Sequence, residues 1–147
     1  MGKKYVIDGT SVVGTVNKTT LTLIGGTTIR PEIYDILMSS GNADDVQNQW
    51  IIQRFTTDGT GVVRAPRPTD FDEVAATATA KENYSAAPTY VSTGVMLRVF
   101  VNARASERWV THDRPFKVPD VSGNGIGFQA IDPSFTGITA CTAYFEE

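Results

Sequence analysis

The chain is poor in the residues that most active sites need. It carries one cysteine, Cys141, and one histidine, His112, among 147 residues. A single cysteine cannot close an internal disulfide, so burial and hydrogen bonding must hold the fold together. One histidine and one cysteine cannot build a zinc site, and no Asp-x-Asp-x-Asp-Gly calcium loop occurs. Positive charge is not in excess either: 13 Lys and Arg stand against 16 Asp and Glu, a formal charge of -3. That balance offers the phosphate backbone of a nucleic acid no bulk attraction, and no nucleic-acid partner is expected. The longest apolar run near the N-terminus is too short to span a bilayer and lacks signal-peptide flanks. No membrane partner is expected, and synthesis in the cytoplasm is.

What is present describes a globular domain. Hydrophobic residues make up 41%, and 13 glycines with 7 prolines punctuate the chain without low complexity. No repeat or linker divides it, so residues 1–147 read as a single domain with one core and an N-terminal arm of about residues 1–4.

Short alternating segments dominate. Lys4–Asp8 places Tyr5 and Ile7 on one side, and Thr19–Ile24 sets Leu21 and Leu23 against Thr20 and Thr22 before the Gly25-Gly26 turn. Val95, Leu97, Val99 and Val101 alternate with Met96, Arg98, Phe100 and Asn102, and Ile126, Phe128 and Ala130 repeat the pattern. Trp50–Thr57 is apolar on both faces at its centre, which predicts a strand covered on both sides. With the C-terminal Ile138–Phe145 and the short Arg108–Val110 and Phe116–Val118, this gives roughly eight to ten strands. The expected fold is an all-β, jelly-roll-like β-sandwich with one short helix or helical turn. Pro31–Ser39 admits a helix, since Ile33, Ile36 and Leu37 share a helical face, but its Ile and Tyr content favours a strand. Phe71–Lys81, richer in Ala and Glu with Asp70 available as a cap, predicts a short helical turn or a structured loop.

The residues give little chemistry to follow. His112 has Asp113 only as its sequence neighbour, no Gly-x-Ser-x-Gly elbow exists, and Cys141 sits in a strand pattern. Asp70, Asp72 and Glu73 cluster in one polar segment, where solvation and capping explain them better than a carboxylate pair across a cleft. Asp44-Asp45 reads as a loop. Gly123-Asn-Gly-Ile-Gly127 lacks the lysine and helix of a phosphate cradle and reads as a turn entering a strand. No catalytic residue, metal or cofactor is assigned, and the chain is not expected to be an enzyme. Arg104 and Arg108, with Trp109 beside them, fit a protein interface, because both residue types combine area with directed hydrogen bonds. A snorkelling arginine over a core tryptophan explains them equally well.

The stretch Arg54-Phe-Thr-Thr-Asp-Gly-Thr-Gly61 resembles a group of small virion-associated proteins of tailed bacteriophages. The likeness continues through Pro88-Thr-Tyr90, Asn102-Ala-Arg-Ala-Ser-Glu-Arg-Trp109, Asn124-Gly-Ile-Gly127, Phe135-Thr-Gly137 and Phe145-Glu-Glu147. It is scattered over nearly the whole chain and carries no diagnostic motif. In that group an arginine and a tryptophan commonly match Arg108 and Trp109. The resemblance implies a head decoration or cement protein, often jelly-roll and often trimeric, assembled in the host cytoplasm. It would bind the major capsid protein on the shell's outer surface. Many weak contacts repeated by symmetry would then replace one strong contact. The arm, with Lys3 and Lys4, and the loop Thr57–Asp72, with Arg64, Arg67 and Asp70, would supply those contacts. A carbohydrate-binding tail or fibre module, displaying Tyr84 and Tyr90, is the main rival. A minor tail or connector protein is another, and a small hydrolase around His112 ranks last.

Overall fold

The computed structural model describes residues 2–12, 18–41, 45–111, 113–132 and 135–147, and every regular element among them is a strand. In chain order these are β1 (Lys4–Ser11), β2 (Lys18–Ile24), β3 (Glu32–Gly41), β4 (Gln47–Thr57), β5 (Thr60–Arg64) and β6 (Arg67–Pro68). There follow β7 (Thr79–Ala86), β8 (Thr89–Asn102), β9 (Ser106–Val110), β10 (Phe116–Lys117), β11 (Gly125–Ala130) and β12 (Ile138–Glu146). β6 and β10 are two-residue pairings, and the remaining strands match the expected number. They form two antiparallel sheets. One runs β10-β3-β12-β1-β6 with β9 also on β3, and the other runs β5-β7-β2-β11-β4-β8.

The pairing is nested. β1 pairs with β12, β2 with β11, β3 with β9 and β4 with β8. The first four strands fall alternately in the two sheets, so each connection between them crosses from one layer to the other. Between the layers lies the core that alternation predicts. Tyr5, Ile7, Ile33, Ile36, Met38, Ala143 and Phe145 of the first sheet meet Leu21, Leu23, Trp50, Ile52, Ile126 and Phe128 of the second. Each large side chain so buried contributes about 1.5–3 kcal/mol. Cys141 is buried among them, and burial pushes its thiol well above the usual range, which makes it inert as a nucleophile.

Pro31–Ser39 is strand, as its β-branched content favours. The helical look of Ile33 and Ile36 has a local cause. The register against β12 slips between Tyr144 and Phe145, so one extra β3 residue intervenes between Ile33 and Asp35. This bulge puts Ile33 and Ile36, three residues apart, on the same buried face. Of the two expectations for Phe71–Lys81, a helical turn or a structured loop, the second describes the segment up to the start of β7 at Thr79. A single turn closes there, with Glu73 N–H donating to Asp70 O at 3.2 Å and Asp72 N–H to Asp70 Oδ1 at 3.2 Å. Asp70 therefore caps a turn and not a helix. Beyond it, tertiary partners take the backbone groups that a helix would pair internally. Thr77 N–H and Ala78 N–H donate to the Glu147 carboxylate at 2.5 and 3.2 Å, and Val74 O accepts from Tyr5 Oη at 3.1 Å.

Candidate protein interface

The eight residues singled out for contact divide between two sides of the sandwich, one around the β1–β6 edge of the first sheet with neighbouring β5 and the other around β9. On the β1–β6 edge, outward-facing Asp8 of β1 gathers two arginines. Arg64 Nη2 reaches Asp8 Oδ2 at 2.8 Å, and Arg67 Nη2 reaches Asp8 Oδ1 at 2.6 Å. Arg64 also meets Glu82 of β7 at 3.3 Å, so this cluster ties β5 and β6 to β1 and β7. Sequence reading found the arginines but missed Asp8, which looked like an ordinary solvent-facing strand residue. Lys3 pairs with Glu73 at 3.1 Å, beside the turn that holds exposed Asp70. Lys4 sets its ammonium 5.8 Å from the centre of the Tyr34 ring.

The described part of the N-terminal arm is not loose. Lys3 and Glu147 exchange backbone hydrogen bonds at 2.8 and 2.9 Å, and Gly2 N–H donates to Glu146 Oε1 at 2.7 Å. Residues 2–4 therefore continue the β1–β12 ladder. Met1 lies outside the described residues.

On the opposite edge, β9 carries Arg108 and Trp109. Arg108 forks onto Asp35 of β3, Nε to Oδ1 at 3.0 Å and Nη2 to Oδ2 at 2.5 Å. The hydrogen bond and charge of Asp35 raise the guanidinium's pKa further, so it is permanently charged. Trp109 stacks on Phe116 with ring centres 4.3 Å apart and planes 9° apart, and both pack against the core. The two readings of this pair thus share the residues out. Trp109 is partly core, while the exposed Arg108 holds a carboxylate on its own sheet. Arg104 is exposed at the β8–β9 turn, its N–H donating to Asn102 Oδ1 at 2.9 Å.

Beside this edge the sandwich opens into a groove of about 500 Å³, lined by Arg30, Arg54, Met96, Arg114, Phe116 and Lys117, with Asp113 and Pro115. Four of its residues are cationic. Lys117 pairs with Glu32 at 2.6 Å, whereas Arg30, Arg54 and Arg114 make no ion pair among the described residues. Such a site suits a carboxylate-bearing group with an apolar part to rest on Met96 and Phe116.

The outer face of the second sheet is closed by the chain itself. Tyr84 is 8% exposed, and its hydroxyl donates to Asp58 Oδ1 at 2.7 Å and lies 2.6 Å from Thr22 Oγ1. Lys81 Nζ holds the other Asp58 oxygen at 2.5 Å. The Tyr90 hydroxyl lies 3.0 Å from Thr19 Oγ1, and its ring meets Phe55 edge-on at 6.1 Å and 86°. Burial pushes both phenols far above their usual pKa near 10. The exposed, coplanar tyrosine platform that a sugar-binding surface would use is not formed.

His112 and Asp44 lie outside the described residues. Glu73 is engaged with Lys3, and Asp70, Asp72 and Glu73 share one turn. No protein-family model matches this chain, and no curated protein or solved structure matches it significantly.

Proposed function

We propose that this protein is a structural subunit of a tailed-phage virion, a jelly-roll decoration protein. In this reading it seats on the outer surface of the major capsid shell, and its copies associate with one another. The observation that carries it is the nested pairing of β1 with β12, β2 with β11, β3 with β9 and β4 with β8. We read this order as a jelly roll, an architecture that recurs in capsid, lectin and cupin domains. The inference from fold to role is one of analogy. The sequence resemblance selects the capsid branch of that analogy, and the buried Tyr84 removes the surface on which the lectin branch relied. A two-layer sandwich whose ends are zipped together loses little conformational entropy on docking. Small contacts repeated over a lattice can then add to a firm attachment.

The test is the copy number of the chain relative to the major capsid protein in purified particles of the phage that encodes it. A ratio near one, or another simple fraction set by lattice symmetry, is expected. A handful of copies per particle would move the protein to the tail or connector, and its absence from particles would overturn the reading.

A further inference from the structure

One loop of this molecule is dressed for contact, and the groove at the opposite edge has the complementary chemistry. The turn after β6 carries Phe71, which is 100% exposed, between Asp70 and Asp72, with Val74 exposed three residues on. A phenylalanine in full solvent forgoes the burial of ~150–250 Å² of ring surface. Asp70 and Asp72 make no ion pair among the described residues.

The groove's Arg30, Arg54 and Arg114 outnumber its one acidic lining residue, Asp113, and so answer this loop in charge, while its Met96 and Phe116 answer Phe71 in chemistry. The two features stand at the same end of the sandwich. The loop packs against the start of β1 and the residue following β12, through Tyr5 Oη and the Glu147 carboxylate. The groove is built from the segment before β3, from β10 and from the residues just before it. β3 runs antiparallel to β12, so its start lies at that same end. They occupy opposite edges, however, one beside β6 and the other beside β10 and β8. A loop and a groove so placed in one molecule cannot meet each other, but they can meet between neighbours standing side by side.

We infer that the occupant of the groove is the Asp70-Phe71-Asp72 turn of a second copy of this chain. The aromatic ring rests on Met96 and Phe116, and the flanking carboxylates face Arg30, Arg54 and Arg114. The contact is heterologous, each copy giving its loop to one neighbour and its groove to the other. Contacts of this kind close into rings when the rotation between copies permits. This deepens the self-association part of the proposed function and rests on it. Its test uses purified protein without particles, so its failure and the failure of the shell assignment are read separately.

Two variants make that test, with oligomeric mass measured by light scattering after size exclusion. F71S/D72A removes the loop's ring and one carboxylate but keeps Asp70, which caps the turn. R54A/R114A removes two cations from the groove. All four side chains are exposed or surface-lying, and matching thermal melts will report that both variants fold. The wild-type chain is expected to run as an oligomer that weakens with added salt, and each variant alone as a monomer. Association should fall at least about tenfold in each. Mixed together, the variants should form a 1:1 pair that grows no further, because one retains a groove and the other a loop. A monomeric wild type, variants that assemble like the wild type, or a mixture that stays monomeric would each overturn the proposal.

Discussion

The outer face of the β5-β7-β2-β11-β4-β8 sheet is roofed by its own chain, whereas the outer face of the β3-β12-β1 sheet is left to solvent. On the first, Phe55, Tyr84, Tyr90, Gln53 and Gln129 form a second buried layer. Gln129 Nε2 donates to Gln53 Oε1 at 3.0 Å, and Gln53 Nε2 donates to Val91 O at 2.6 Å. On the second, Leu37 and Val110 are exposed and Tyr144 is half-buried. The difference teaches where sequence change is tolerated. Where it is roofed, around β2, β11 and β4, the first face spends its polar groups on internal bonds. The open face and the edges keep theirs for contact, at little expense to stability.

If that contrast is right, substitutions should rank by face, read by urea unfolding with the fluorescence of buried Trp50. Phe55→Ala on the roofed face should cost the most, ~3–5 kcal/mol, because it removes a ring packed against Tyr90. Gly127→Ala comes next, at about 1–3 kcal/mol, since its methyl carbon would sit 2.2 Å from Tyr90 Oη and force the ring off Thr19. Tyr84→Phe should cost roughly 1–2 kcal/mol by leaving Asp58 and Thr22 short of a partner. Leu37→Ser on the open face should change stability by no more than about 0.5 kcal/mol. A Leu37→Ser cost equal to that of Phe55→Ala would break the contrast.

Alkaline titration sharpens it. Because burial raises the folded pKa of Tyr84 and Tyr90, the unfolded chain releases their protons first, near pH 10. Their contribution is complete below that pH and is lost as the pH rises through the folded values. Wild-type stability should therefore fall above pH 10 more steeply than that of Tyr84→Phe, as urea midpoints at stepped pH will show.

The strand pattern was legible wherever period-two alternation ran unbroken, as in Leu97, Val99 and Val101, which face Trp50 and Ile52 across β4. It failed where a register shift intervened. Val95 belongs to the same alternating series, yet the slip between Ile52 and Gln53 leaves it exposed. The bulge at β3 lent helical spacing to a strand for the same reason. Two-sided burial at the centre of Trp50–Thr57, from Trp50 to Gln53, was also legible, because Ile51 and Phe55 have no business on a wet face. The candidate surfaces were harder. Arg30, Arg54 and the pair Arg114 and Lys117 come from three separate segments and acquire a common meaning only after the sheets stack. Lys18 gave no signal at all. It is buried, and its ammonium donates to Thr136 O at 3.2 Å and to Gly137 O. Those bonds form only once the chain before β12 is in place.

The nested pairing also fixes the timetable of folding. β12 lies between β1 and β3 and is the last strand to be made, so neither of its neighbours has its main partner until synthesis reaches it. At about 5–20 residues per second, β1 waits on the order of ten seconds for the strand that pairs its hydrogen-bonding edge. The first sheet can then assemble only once β12 has been made, by contacts far apart in sequence, such as Lys4 with Glu146. Topologies of this kind fold slowly, in milliseconds to seconds. A nascent chain stalled before residue 138 should remain open to protease and chaperone alike, because β1 and β3 then lack the strand between them.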